Sequence, residues 1–146
     1  MAIRARLSLV TIGTRDHERM CAFYKAFGWT PGFEIEGDMT SFLLGGVVLA
    51  LWPLEKLGPE ASGGEPEPAI GWNGITLACN CETRDAVDGA FAAAVAAAAT
   101  VVKEPEDTEW GGRVGYFADP EGNRWEVAWA EGMEFDARGA VTKFGG

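Results

Sequence analysis

The spacing of apolar residues changes several times along the first third of the chain. Residues 4–12 are predicted to form a strand whose apolar part is 7–12, and Thr14 follows in the position of a helix N-cap. An apolar stripe then recurs at intervals of three and four residues, which predicts an amphipathic helix that ends at Gly28. This stripe consists of Met20, Phe23, Tyr24 and Phe27. Three strand-like segments follow at about 29–36, 39–44 and 47–52, so this part predicts the order strand, helix, strand, strand, strand.

The same order restarts after a segment that is poor in apolar residues. Residues 57–70 hold three prolines, three glycines and several acids, which is the composition of a linker. A strand at 72–81, a helix at 85–98 capped by Thr83, a strand at 100–103 and a final hairpin then complete a second unit. The sequence therefore predicts one α+β domain made of two tandem βαβββ modules that form a curved mixed sheet. The modules span about 4–53 and 72–130, with a linker at 54–71 and a tail at 131–146.

The final hairpin carries the most distinctive motif in the chain. Residues 116–118 are strand-like, and 119–123 (Asp-Pro-Glu-Gly-Asn) combine the residue types that form tight turns. Residues 124–129 then alternate, so that Trp125, Val127 and Trp129 share one face and favour the core. Glu126 lies on the opposite face, as a carboxylate in the middle of a strand between two tryptophans.

This hairpin resembles the closing motif of the vicinal oxygen chelate superfamily, which includes glyoxalases, bleomycin-resistance proteins and extradiol dioxygenases. The matching residues are Phe117, the turn at 119–123 and Glu126. The resemblance implies a metal in a trough on the concave side of the sheet, held by one residue from the first strand and one from the last strand of each module. Carried onto this sequence, the four positions are Ser8, Leu49, Thr76 and Glu126.

Only Glu126 among these four positions is a common metal ligand. A divalent ion needs several charged or imidazole donors, which one carboxylate, two hydroxyls and a leucine do not supply. The one histidine, His17, falls in the first turn of a helix on the wrong face. Cys21, Cys79 and Cys81 lack the spacing of a zinc site, and we interpret them as small buried apolar residues. The prediction is therefore no metal and no cofactor.

The trough itself is predicted to be a small-molecule site with mostly apolar walls and a few polar groups. Alternation along the strands assigns residues 8, 10 and 12, 47, 49 and 51, 76, 78 and 80, and 124, 126 and 128 to its surface. Glu126 has two interpretations, a structural ion pair with Arg124 or a contact to ligand, and beside Leu49 it could also be a general base. Trp110 is either a ligand-stacking side chain or a loop anchor. The candidate ligand-binding residues are Ser8, Leu49, Thr76, Asn80, Trp110, Arg113, Tyr116, Arg124 and Glu126.

The charge of the chain limits its partners. Twenty-two acidic residues against twelve lysines and arginines give a net charge of −10, which opposes binding to nucleic acid or anionic membranes. No targeting or membrane segment is evident, and three cysteines without a framework spacing predict a cytoplasmic protein. The resemblance also implies a homodimer, whose partner the tail would wrap unless it frays.

Three functions follow from these observations. The first is a metal-free protein that sequesters a cationic or aromatic small molecule, as the resemblance to bleomycin-resistance proteins implies. The second is a metal-dependent glyoxalase or dioxygenase-type enzyme, a lyase or oxidoreductase, that uses Glu126. The third is an interaction module whose trough is filled by its own side chains.

Overall fold

The computed structural model describes residues 2–145, which form two four-stranded sheets, three helices and a short hairpin. The helices are α1 (His17–Lys25), α2 (Leu54–Ala61) and α3 (Arg84–Ala96). The strands of the first sheet are β1 (Leu9–Thr14), β2 (Phe33–Glu34), β3 (Thr40–Leu44) and β4 (Val47–Pro53). Those of the second sheet are β5 (Thr76–Asn80), β6 (Thr100–Asp107), β7 (Arg113–Ala118) and β8 (Arg124–Trp129). The hairpin pairs β9 (Glu134–Phe135) with β10 (Val141–Lys143).

Both sheets have the same topology, which confirms the predicted α+β repeat. The strand orders are β1-β4-β3-β2 and β5-β8-β7-β6. In each sheet the strands that begin and end the unit along the chain are parallel neighbours, β1 with β4 and β5 with β8. The other neighbouring strands are antiparallel. A parallel pair requires a crossover connection. The helix and the two hairpin strands of each unit provide that connection.

A single core joins the two units. Tyr24 of α1 packs beside Trp125 of β8, and its hydroxyl donates a 2.6 Å hydrogen bond to Oδ2 of Asp119 in the β7–β8 turn. The indole Nε1 of Trp125 in turn donates to the Tyr24 hydroxyl at 2.9 Å. From the same turn, the carboxylate of Glu121 accepts hydrogen bonds from the backbone N–H groups of Arg15 and Asp16 at the start of α1. The first helix is therefore fixed by the second unit as well as by its own sheet.

Several element boundaries differ from those predicted. The N-cap of α1 is Asp16, whose side chain accepts from the Arg19 N–H, whereas Thr14 is the last residue of β1 and is buried. The strands β2 and β5 are shorter than the segments predicted around them, and β6 is longer. Exposed apolar residues beside these short strands continue the strand-like pattern in the sequence, but they lie outside the paired segments.

The linker and the tail both contain structure that the sequence pattern missed. Leu54 of α2 is buried against Gly13 of β1, where a Cβ would come within 2.7 Å of the leucine side chain. The tail forms the β9–β10 hairpin, and Ala140 of this hairpin packs against Gly45 and Gly46 at the β3–β4 turn. Within residues 2–145, none of the helices has the length and apolar character needed to cross a membrane.

The faces assigned to β1 and β4 are wrong by one residue. Leu49 is only 2% exposed and belongs with Leu51 to the core cluster under α1, against which Val10 also packs. The opposite face carries Thr11 and its register partner Ala50, in the places that Ala78 and Glu126 hold in the second sheet. The error arose because β4 is apolar at almost every position, so alternation gives no orientation.

Candidate functional site

The strongest candidate site lies on the open face of the second sheet, on the side away from the helices. Glu126 of β8 is half-buried there, between Ala78 of β5 and Tyr116 of β7, which are its partners in register. The Tyr116 hydroxyl donates a 2.8 Å hydrogen bond to Oε2 of Glu126. Because both side chains project from central parts of paired strands, the sheet itself fixes this contact.

The partner of the Glu126 carboxylate is a neutral phenol. The hydrogen bond to Glu126, together with partial burial, raises the pKa of Tyr116 above its ordinary value, so the phenol remains a donor at neutral pH. Arg124 instead donates to the carbonyl oxygen of Gly122 at 2.7 Å, and the predicted Arg124–Glu126 pair does not form. In the described part of the chain, residues 2–145, no lysine or arginine forms an ion pair with Glu126. The carboxylate therefore has a hydrogen-bond donor but no counter-ion.

The residues around Glu126 do not fit the metal that the fold family implies. Ala78, the register partner of Glu126, offers no donor, and neither does Leu49 in the core, while Ser8 and Thr76 offer only weak hydroxyl donors. Nowhere in residues 2–145 do three or more histidine, cysteine, aspartate or glutamate side chains converge in a way that could hold a metal ion. Leu49 belongs to the core and not to the face of Glu126, so the apolar neighbour that suggested a general base is absent from this face.

Four other candidates lie on the same face as Glu126, or at its edge. Thr76 begins β5, is exposed, and pairs in register with Arg124. Asn80 ends β5 and lines a cavity of about 270 Å³ between this strand and the tail hairpin, with Phe135 and Arg138 on the opposite wall. The structure thus brings together Thr76, Asn80, Tyr116, Arg124 and Glu126. The tail residues at this cavity carried no signal in the sequence that would have placed them there.

Three candidates are not part of this face. Ser8 precedes β1, is exposed, and its carbonyl oxygen accepts from the Val48 N–H. Leu49 is in the core, as described above. Arg113 lies on the helix side, where its guanidinium donates two hydrogen bonds of 2.7 and 2.9 Å to Asp88 of α3 and a third of 3.2 Å to Asp107. Since Arg113 and Tyr116 are three residues apart in one strand, alternation alone places them on opposite faces.

Trp110 is 64% exposed and lies in the loop between β6 and β7. Its ring covers Gly112, where an added Cβ would come within 2.0 Å of the ring and 2.6 Å of the Trp129 carbonyl oxygen. The loop is closed by Thr108, whose hydroxyl accepts from the Gly112 N–H at 2.9 Å. The described contacts of Trp110 are therefore those of a loop anchor that leaves much of the ring accessible.

Replacing Gly112 by alanine is expected to displace the Trp110 ring and to lower the free energy of unfolding by about 1–3 kcal/mol, the usual cost of overpacking. The cost arises because the new methyl group meets a backbone oxygen as well as the ring, so moving Trp110 alone does not remove the clash. Urea denaturation and tryptophan emission would measure both effects. Gly32→Ala is the matched control, because no atom lies within 4 Å of a Cβ at that position. Equal stability of both variants would contradict the placement of Trp110.

An apolar cavity that sequence reasoning missed lies on the other side of the second sheet. It has a volume of about 160 Å³ and lies between α3 and a group of aromatic rings that includes Phe27, Trp29 and Trp125. Ala90 and Ala94 of α3 form its opposite wall. The alanine-rich sequence of this helix was the available signal, because small side chains leave space beside large rings. Cys79 also lines this cavity and is exposed, whereas Cys21 and Cys81 are buried as predicted.

The paired βαβββ units and the carboxylate in the last strand define the class to which the protein belongs. The model of the Glyoxalase/Bleomycin resistance protein/Dioxygenase superfamily matches residues 6–127, and the chain belongs to this superfamily. No curated protein matched the chain.

Solved structures are similar over nearly the whole chain. A glyoxalase-related enzyme from Fulvimarina pelagi is 28% identical with a TM-score of 0.87, over 98% of this chain and 100% of its own. A family member from Burkholderia phytofirmans PsJN is 27% identical with a TM-score of 0.71, over 86% and 98%. A lactoylglutathione lyase from Agrobacterium tumefaciens, at 20% identity and a TM-score of 0.68 over 87% and 95%, shares the fold.

Proposed function

We propose that this protein binds a small cationic ligand with an aromatic part, without a metal, on the open face of its second sheet. The observation that carries the proposal is the Glu126 carboxylate, which is half-buried, hydrogen-bonded to the neutral Tyr116 phenol, and free of any lysine or arginine partner within residues 2–145. A ligand cation would supply the missing counter-ion. The Tyr116 ring beside Glu126 is only partly buried, so it can contact the aromatic part of the ligand.

Electrostatics supports a cation in preference to an anion. A carboxylate that is partly removed from water interacts with a positive charge more strongly than an exposed one, because the local dielectric constant is lower. The net charge of −10 adds a long-range attraction that raises the local concentration of cations. Arg124 lies two residues from Glu126 on the same face, and its contact with the Gly122 carbonyl oxygen directs it toward the turn.

The proposal also includes a cytoplasmic homodimer. Support for the dimer comes from the face of the first sheet opposite α1, where Leu43 is 76% exposed and Leu9 is also exposed. Two exposed leucines on one face favour contact with a second copy. Support for the cytoplasm comes from three cysteines that are all free thiols.

A pair of probes that differ only in charge tests the function. Phenyltrimethylammonium and tert-butylbenzene have the same shape, and only the first carries a positive charge. We expect the cationic probe, and larger quaternary aromatic relatives of it, to raise the melting temperature and change tryptophan emission, with an effect that weakens as salt is added. Equal binding of the charged and neutral members, or no response to any of them, would refute the proposed function.

A further inference from the structure

A second cluster of reactive side chains lies on α1, away from the open face of the second sheet. A cleft of about 760 Å³ separates α1 from the β2–β3 hairpin. The Cys21 thiol and the His17 imidazole both line this cleft, and His17 is the one histidine of the sequence. Neither residue contributes to the cation site described above, so this cluster stands independently of the proposed function.

The geometry of the cluster is that of a nucleophile, a base and a group that orients the base. Nε2 of His17 lies 3.4 Å from Sγ of Cys21, one helical turn further along α1. Nδ1 of His17 lies 2.8 Å from Oγ1 of Thr14, which is 2% exposed and fixed at the end of β1. With Nδ1–H donating to Thr14, Nε2 is the free acceptor that faces the thiol. A base placed in this way can remove a proton from a thiol as the sulfur attacks.

The surroundings keep both groups neutral before reaction. Burial lowers the pKa of His17 below its ordinary value, against the opposing effect of nearby carboxylates, and so favours the neutral imidazole that acts as a base. Burial raises the pKa of the Cys21 thiol, although the nearby Thr40 hydroxyl and the charge of Lys25 act in the opposite direction. The charged and titratable groups that face the pair are Lys25, Glu34, Asp38, Lys56 and Glu121.

The charged residues on the walls of the cleft favour a cationic molecule over an anionic one. Glu18, Glu34 and Glu36 line the cleft, and the one lysine on its walls, Lys25, is already paired with Glu34 at 2.7 Å. An anionic reagent would meet three carboxylates with little compensation. A small cationic reagent would be attracted, and Cys21 and its base lie within the same cleft.

We propose that Cys21 is a nucleophilic thiol that exchanges with small cationic disulfides, with His17 as its base. Sγ of Cys21 attacks one sulfur of the disulfide, a new sulfur–sulfur bond forms, and the original one breaks. The thiol proton passes to Nε2 of His17 and then to the departing thiolate. The products are a mixed disulfide on Cys21 and one free cationic thiol, so the disulfide is the only oxidant that the step requires.

The test compares cystamine, a dicationic disulfide, with the dianionic disulfide of thioglycolic acid on the full chain. Mass spectrometry of the intact protein and of its peptides follows labelling of Cys21 and of the exposed Cys79. We expect cystamine to modify Cys21 at least about tenfold faster than the anionic reagent, and His17→Gln to slow this modification about tenfold near neutral pH. Cys79, which has no imidazole neighbour in the described contacts, serves as the internal reference for both effects and is expected to change less.

The pH dependence of Cys21 labelling in the unsubstituted protein is a second test, which holds even if the His17→Gln variant misfolds. If His17 is the base, the Cys21 labelling rate levels off once the imidazole is neutral, over about pH 7–8. A thiol that reacts only as a free thiolate, with its pKa raised by burial, would instead gain about tenfold per pH unit through the same range. That log-linear rise would overturn the proposal. So would a Cys21 that cystamine does not label, or one that reacts equally with both reagents.

Discussion

Replacing Asp119 by alanine is expected to lower the free energy of unfolding by about 3–5 kcal/mol, since it leaves the buried Tyr24 hydroxyl and several partly buried donors without an acceptor. Asp119 is 1% exposed and accepts hydrogen bonds from the Tyr24 hydroxyl at 2.6 Å, from the backbone N–H groups of Glu121 and Asn123, and from the Asn123 side chain. The carboxylate therefore closes the β7–β8 turn and ties it to α1 at once. Urea denaturation followed by tryptophan fluorescence would measure the change.

Asp136→Ala is the matched control for this experiment. Asp136 forms a similar turn in the tail hairpin, where its carboxylate accepts from the N–H groups of Arg138 and Ala140. Its side chain is 32% exposed, and its hydrogen bonds within residues 2–145 stay inside the hairpin. We expect this variant to lose less than about 1 kcal/mol, as for a solvated turn. Similar losses in both variants would mean that the turn, and not the link between the two units, accounts for the cost.

Replacing Glu126 by glutamine is expected to weaken binding of a cationic aromatic probe about 10–100-fold, the equivalent of a charge-assisted contact of about 1.5–3 kcal/mol. Glutamine keeps the size of the side chain and an acceptor for the Tyr116 hydroxyl, so the loss measures the charge. Tyr116→Phe removes the donor and retains the carboxylate, and we expect it to change the dissociation constant less than Glu126→Gln does. Fluorescence titration at fixed ionic strength would give these constants.

Glu60→Gln controls for the change in net charge. Glu60 is exposed on α2 and makes no side-chain hydrogen bond within the described part of the chain. We expect its substitution to leave probe binding unchanged, because a distant exposed charge is screened by salt. A loss as large as that of Glu126→Gln would show that the probe responds to overall charge and not to the site.

The turn at 119–123 and the strand after it were predictable because each residue type there has one dominant role. Asp119 caps the turn, Gly122 takes a positive φ of 88°, and the alternation from Arg124 onward separates polar from core positions. Helix α1 was predictable for a similar reason, since Met20, Phe23 and Tyr24 of its apolar stripe are all buried. Local chemistry and tertiary packing agree at these positions.

Prediction failed where only tertiary contacts decide the outcome. The face of β4 follows from packing of Leu49 under α1, because its apolar neighbours fit either face equally well. The position of helix α2 depends on the packing of Leu54 against Gly13, which has no side chain. The position of the tail hairpin depends on its packing against the β3–β4 turn at Gly45. Arg113 was assigned to the ligand site because it begins the strand after the Trp110 loop, whereas its contact with Asp88 of α3, 25 residues away, holds it on the helix side.

A crystal structure of the protein with a quaternary aromatic cation tests the central claim most directly. The account predicts that the ammonium group lies within about 6 Å of the Glu126 carboxylate on the open face of the second sheet, a distance at which opposite charges interact strongly, and that no ion mediates the contact. A probe found in the apolar cavity between α3 and the aromatic rings, or a divalent ion coordinated by Glu126, would contradict it.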